Sequence, residues 1–567
     1  MFTVVRPPNR HAVVGSGSEF GGRTKMKPSS LILIALMGTP SVSTALCQEA
    51  NSPLNDRERV VHLLSRFTSG VRARDVDRLL EIGIDTWLDE QLDPDLEASE
   101  VFSRRLADLQ TLEMSPSEIA AFTNLAIPAS PTRAERLKRS QRRQIPAKEL
   151  MKSVVLRSVY SDRQVEEVLC DFWRNHFNVS YTKTYPAHLY ITSHEFSVIQ
   201  SHALGNFGEM LNASAHHPAM MHYLDNALSR RPPSSAELAK LENNIRTKTG
   251  SKERGREAAE IAAMRGVNEN YARELLELHT LGVDRTYKQK DVVAVAEALT
   301  GWGVARGDDG VYGFEFDNER HVKGDMKFLD HVLRADKKKG TSQGDRILVL
   351  LAAHNDTAEF VAMKLVRYFV HDEPPSKLIK EVAKTYKKRN GDISSMIRTI
   401  IESEEFWERA NYQAKFKTPN EFLVSALRVT NAEIENLDDF FGALKAMGQL
   451  TYHCDDPTGW YDTADAWLDP GVMAKRWELS QSLASSKIKG IRIPPAFFGE
   501  IDEETSALTW MREMVAKVLP GGASSRTLAM LHEIVREHAS KRGGADALVL
   551  GPQVLGLLLG SPEFQTQ

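Results

Sequence analysis

From Asn55 to the end of the chain, apolar side chains recur at steps of three and four, and no run alternates strand-like with helix-like segments. Val60, Leu63, Leu64 and Phe67 set the pattern, and Leu79, Leu80 and Ile84 continue it. A parallel sheet needs strands between its helices, so this spacing predicts a mainly α, multi-helix globular domain. Only Val311-Tyr312-Gly313-Phe314-Glu315-Phe316 has alternating aromatics between turn residues, which predicts a small β-hairpin near 311–317. With 567 residues, 42% of them hydrophobic, the chain can build a sizeable core. Its 72 basic and 76 acidic side chains nearly cancel, which argues against a nucleic-acid partner, since such proteins carry a basic excess.

The N-terminal segment reads differently. Arg23, Lys25 and Lys27 precede the short apolar run Leu31–Met37, small residues follow, and Gln48-Glu49 makes a polar exit. That order is expected of a secretory signal peptide over residues 1–47, with 1–25 read as an upstream extension ahead of Met26. The run is too short for a permanent span, which takes roughly 20 residues. The expectation is an exported protein (periplasm, cell surface or extracellular) with no integral membrane span in its mature part. Residues 48–567 then form one large helical region. In an oxidising compartment Cys170 and Cys454 can pair, although Cys170 lies in an apolar helical pattern that also suits a buried thiol.

Within that region, the prolines, serines and mixed charges of 229–255 predict a flexible insertion, an exposed loop with a partial helix. The cluster Arg133, Arg136, Lys138, Arg139, Arg142 and Arg143 is either a solvated helix face or a contact for an anionic polymer. Ile397–Phe406 and Val554–Phe564 echo each other, each an apolar helix stopping at serine ahead of Glu-Phe. Two helix ends with the same stop problem explain the echo as well as duplication does.

Polar residues on apolar faces carry the functional signal. In 164–177, His176 shares a stripe with Val165, Val168, Leu169, Phe172 and Trp173. In Asn268–Gly282, Asn268 is the expected N-cap and Gly282 the expected left-handed stop. At 100° per residue, Glu274 and His279 fall inside the arc of Tyr271, Leu275 and Leu278, while Arg273 and Thr280 fall on the polar side. A buried carboxylate needs a partner. His176, an arginine, or a divalent metal held by His176, His217 and Glu274 would each serve. Glu274 and His279 cannot be adjacent ligands, because five residues of α-helix leave them about 140° apart. His216, His217 and His222 flank Pro218, which can open a short helix with His217 at its cap, and Asp225 marks that helix's exit. Trp460, in a polar loop after His453, either anchors the loop or stacks on a sugar. Phosphate-loop, nucleophile-elbow and zinc-protease motifs are absent from the sequence.

The segments FWRNHFNVS (Phe172–Ser180), HPAMMHYLDN (His217–Asn226), NENYARELLELHTLGV (Asn268–Val283), KDVVAVAEALTGW (Lys290–Trp302) and MGQLTY with a following GW (Met447–Trp460) occur in order. Together they resemble the bacterial family called domain of unknown function 1800, over roughly Asn55 to Phe564. The resemblance implies a largely helical exported protein without an established activity, often encoded beside an exported family that resembles sulfatases, and so a partner of that kind. It also carries over His176, His217, Asp225, Asn268, Arg273, Glu274, His279, Thr300 and Trp302 as the matching polar and aromatic positions. The family's His-Asp pair is not kept here, since Val322 follows His321.

Two functions remain open at this point. One is a non-catalytic binding or assembly protein of the cell envelope, with His217, Asp225, Asn268, Arg273, Trp302 and Trp460 as binding residues. The other is an exported hydrolase of an envelope or extracellular polymer, possible with a metal, in which His176, Glu274 and His279 are catalytic.

Overall fold

Many helices start on the cap that their sequence offers. Asn55, Ser115, Thr132, Ser234 and Thr418 each close a capping box with a glutamate three residues on, opening Asp56–Phe67, Pro116–Thr123, Arg133–Tyr160, Ser235–Thr249 and Pro419–Val429. This computed structural model describes residues 52–93, 100–124, 130–183, 187–305, 312–335, 341–501, 506–539 and 546–567. The signal-peptide reading, with Cys47, lies outside the described residues, as does Val311. Pro53–Gln567 forms one compact unit, and none of its described helices is long and apolar enough to cross a membrane.

The Gln164–His176 helix runs through the interior against Asp56–Phe67, Ile84–Leu92 and Arg133–Tyr160. Its stripe is buried as the spacing predicts, with Val165, Leu169 and Trp173 at 0% exposure and His176 at 2%. Each large side chain so buried contributes about 1.5–3 kcal/mol. Around it, Asn355–Phe369 packs on Ser376–Lys388, which packs on Ile393–Glu402.

The sheets are small antiparallel pairs, Trp302–Val304 with Phe314–Phe316, Met326–Phe328 with His331–Leu333, and Glu433–Ile434 with Ile491–Arg492. The expected aromatic strand is thus present at Phe314–Phe316, and its partner lies upstream.

The 229–255 segment, expected as an exposed loop with a partial helix, carries the first helix and the turn of a helical hairpin, Ser235–Thr249 and Lys252–Ala263, turned at Gly250 with φ +69°. Proline and serine signalled a break, but here they precede a capping box. A Cβ on Gly255 would lie 2.6 Å from the Glu242 carbonyl oxygen, so glycine lets the two helices touch. The hairpin's base is closed by the Arg230 N–H donating to the Gly266 carbonyl at 3.2 Å.

The two echoing helix ends do share one device. Ser403 Oγ donates to the Ile400 carbonyl at 2.7 Å, and Ser561 Oγ to the Leu558 carbonyl at 2.8 Å. Each Oγ also accepts the N–H of the phenylalanine three residues on.

Candidate functional site

The last turn of Gln164–His176 and the residues after it act as a clamp. Arg174 donates twice to Glu195, at 2.9 and 2.7 Å, and once to Asp171 at 2.9 Å. Tyr452 Oη and Gln200 Nε2 also donate to Glu195, which is fully buried. Burial would raise the Glu195 carboxyl, yet the Arg174 guanidinium and these donors hold it down to about 2. Asn175 Nδ2 donates to the Trp460 carbonyl at 2.8 Å, and its Oδ1 accepts the Trp460 N–H at 2.6 Å. Asn178 Nδ2 donates to the Cys454 and Asp456 carbonyls at 3.0 and 2.8 Å. Ser180 and Thr182 hydroxyls donate to Asp455. The segment 452–462 is therefore held from beneath along its main chain. Gly459 permits this, since its φ is +79° and a Cβ there would meet Asn175 Oδ1 at 2.5 Å.

His176 belongs to the same clamp. Its Nε2 lies 3.2 Å from the His279 carbonyl oxygen, which can only accept, so Nε2 carries the proton. Burial, then the nearby Lys364 and His279, hold its pKa well below the usual imidazole range, so the ring is neutral and Nδ1 is a bare acceptor. No hydrogen-bond donor reaches that buried atom.

The second motif helix departs from the expected register. The cap position is Glu269, one residue past the expected Asn268, although Asn268 Oδ1 does accept the Asn270 N–H at 2.9 Å, and Gly282 has φ +91°. After Asn270–Glu274, however, the chain widens into a π-helical turn, Leu275–Thr280. Bonds from i to i+5 carry more residues per turn than an α-helix, so a 100° projection fails here. Thr280, expected on the polar side, is fully buried, and its Oγ1 donates to the Leu275 carbonyl at 2.6 Å. Leu278, expected in the core, is only half-buried. His279 is buried as expected, with its pKa pushed down to about 3 by burial, then by Lys364 and His194.

Glu274 is half-buried and makes no hydrogen bond among the described residues. Burial, then the Glu277 and Asp456 carboxylates, raise its pKa against the pull of Lys183 and Arg273. His217 caps Pro218–Tyr223 as expected, its Nδ1 accepting the Ala219 N–H at 3.1 Å, which leaves Nε2–H facing Ser193 Oγ at 3.2 Å. Its nearest imidazole is His194, at 5.1 Å between ring centres. His176 and His217 thus have separate partners while the Glu274 side chain has no hydrogen bond, and among the described residues no three His, Cys, Asp or Glu side chains form a group able to hold a metal ion.

The other expected binding residues also have structural partners. Arg273 bridges Glu269, Glu277 and Gln289 along the helix surface. Asp225 sits in the left-handed region at φ 63°, its carbonyl accepting from Asn268. Trp302 is buried and stacks on His216 at 4.3 Å, while Thr300 and Gln343 hold His321. Cys170 and Cys454 are buried and unpaired.

Trp460 is half-buried between two clefts. On one side lie Asp171, Arg174, Tyr368, Lys415, Glu421 and Asp462, around only about 50 Å³, room for a few waters. On the other, His176, Phe360, Lys364, Arg367, Thr458 and Asp462 surround a cavity of about 250 Å³.

The family described as Protein of unknown function (DUF1800) matches residues 62–566. The chain belongs to this family. No curated protein and no solved structure matches it. Within the DUF1800 motif FWRNHFNVS, reading the sequence singled out His176 but missed Arg174, Asn175 and Asn178. Their signal was available, as polar residues at the buried end of an apolar helix. Glu195, Lys364 and Arg367 gave none, because each looks like an ordinary charge on an amphipathic helix.

Proposed function

We propose that this DUF1800 chain is a non-catalytic, exported binding protein of the cell envelope. One observation carries the reading. In its most distinctive segment, Asn175 and Asn178 bond the main chain of 452–462 and His176 bonds the His279 carbonyl, so these side chains fix a loop and a helix turn instead of standing ready as nucleophile or base. The fixed loop presents Trp460 and Tyr461 between two clefts, and Tyr461 is 67% exposed. A ligand meeting such a rigid surface loses little affinity to ordering. The basic start and apolar run within residues 1–47 support export.

The test is to incubate chain starting at Gln48 with isolated envelope polymers, following both retention and polymer length. Saturable retention with unchanged length is expected. Chain shortening that disappears in His176→Ala or Glu274→Ala would overturn the reading.

A hydrolase is the second reading, and one observation favours it, although at other residues. Burial pushes Asp171 up to about 6 despite Arg174, and the Glu421 charge lining the same cleft adds to the shift. A carboxyl so poised suits a general acid. Chain shortening lost in Asp171→Asn but kept in His176→Ala would support it.

A further inference from the structure

The 250 Å³ cavity beside Trp460 contains polar groups that the protein itself does not satisfy. Lys364 and Arg367 point from one face of Asn355–Phe369, at the three-residue spacing that makes helix neighbours. Neither side chain has a hydrogen bond or an ion pair within 4.0 Å among the described residues, and Arg367 Nε is buried without a partner. Two cations side by side, partly removed from water, are costly unless an anion completes them. Two carboxylates also line the space. Glu277 is taken by Arg273 at 3.3 Å and by Tyr287. Asp462 attracts Lys364 and accepts one bond, from Asn175 Nδ2 at 3.3 Å. Asp462 therefore keeps acceptor capacity towards the cavity, whereas His176 Nδ1, without a donor, is buried out of a ligand's reach.

The cavity therefore offers two cations that no carboxylate pairs within 4.0 Å, beside a carboxylate with acceptor capacity to spare. Inorganic phosphate or sulfate would serve only the first, and a neutral sugar only the second. A ring that carries hydroxyls and an oxyanion serves both, and Trp460, Tyr461 and Phe360 supply apolar and aromatic wall for its C–H faces. The volume falls just short of the ~300–1,000 Å³ of drug-sized sites, which suits a single ring unit.

We propose that this cavity is a subsite for one acidic saccharide unit, its oxyanion held by Lys364 and Arg367 and a hydroxyl donated to Asp462. The assignment rests on the binding reading above and names its ligand class.

The test uses the chain from Gln48 with three probes, a galacturonic acid trimer, a galactose trimer and inorganic sulfate, read by calorimetry and by tryptophan fluorescence. The acid trimer is expected to bind at least tenfold tighter than the neutral one. Lys364→Met and Arg367→Gln are each expected to erase that preference while changing neutral-trimer affinity less than twofold. Equal affinities in the unaltered chain, a preference that survives both substitutions, or sulfate competing as well as the acid trimer would overturn the subsite. If one variant fails to fold, the other carries the same test. Retention on envelope polymers that persists unchanged in both variants would remove this subsite and leave the binding reading standing, whereas polymer shortening removes the binding reading itself.

Discussion

Arg174 and the Lys364–Arg367 pair lie close to the same helix end, yet they are treated in opposite ways. Arg174 is buried and matched, with Glu195, Asp171 and Tyr452 around it. Lys364 and Arg367 are half-buried and unmatched, facing a cavity. The first arrangement costs much to disturb because every charge is compensated where water cannot help. The second leaves its compensation to something outside the chain. Within one protein, the contrast separates charges that hold the fold from charges that await a guest.

Breaking the matched cluster should have the largest effect. Glu195→Gln leaves Arg174 buried without its main counter-charge and is expected to cost about 3–5 kcal/mol, seen as a large drop in melting temperature. The pH dependence sharpens the contrast. Burial holds His62 and His279 at about 3 and His194 at about 4, against an ordinary 6.5. The unfolded chain takes up protons there that the folded one refuses, so stability is complete above 6.5 and falls as pH drops towards 3. Glu195, held at about 2 against 4.5, adds a later loss, between about 4.5 and 2. Denaturant titrations across pH should show both limbs in the unaltered chain and a shallower lower limb in Glu195→Gln, where Glu58, Asp372 and Glu563 still contribute.

Next in size is Asn175→Ala, which frees both Trp460 main-chain groups and is expected to cost about 1–3 kcal/mol and to raise proteolysis within 452–462. Thr280→Val, removing the hydroxyl bonded across the π turn, should cost about 1 kcal/mol by chemical denaturation. Lys364→Met should change stability least, staying within about 1 kcal/mol of zero or stabilising the chain. A loss of several kcal/mol there would place Lys364 with the matched cluster and erase the distinction.

Much of this was legible beforehand. Spacing revealed the helices, the buried stripe ending at His176, and the cap at His217, because these depend on residues near in sequence. The π turn was not legible, since its extra residue per turn shows only when Thr280 finds the Leu275 carbonyl. Nor was the dispersal of His176, His217 and Glu274, which depends on helix placement and not on helix faces. Lys364 and Arg367 were hidden for the reverse reason. On a helix otherwise half wet, a lysine and an arginine carry no mark of what stands opposite.

The 235–263 hairpin has a practical corollary. Because the backbone departs at Arg230 and returns beside it at Gly266, and because Ser235–Thr249 contributes no side chain to the interior, the pair is an appendix that surgery can reach. Excising 233–264 with a short Gly-Ser splice, or grafting a fluorescent reporter at the Gly250 tip, gives a labelled or trimmed form whose clefts keep their walls.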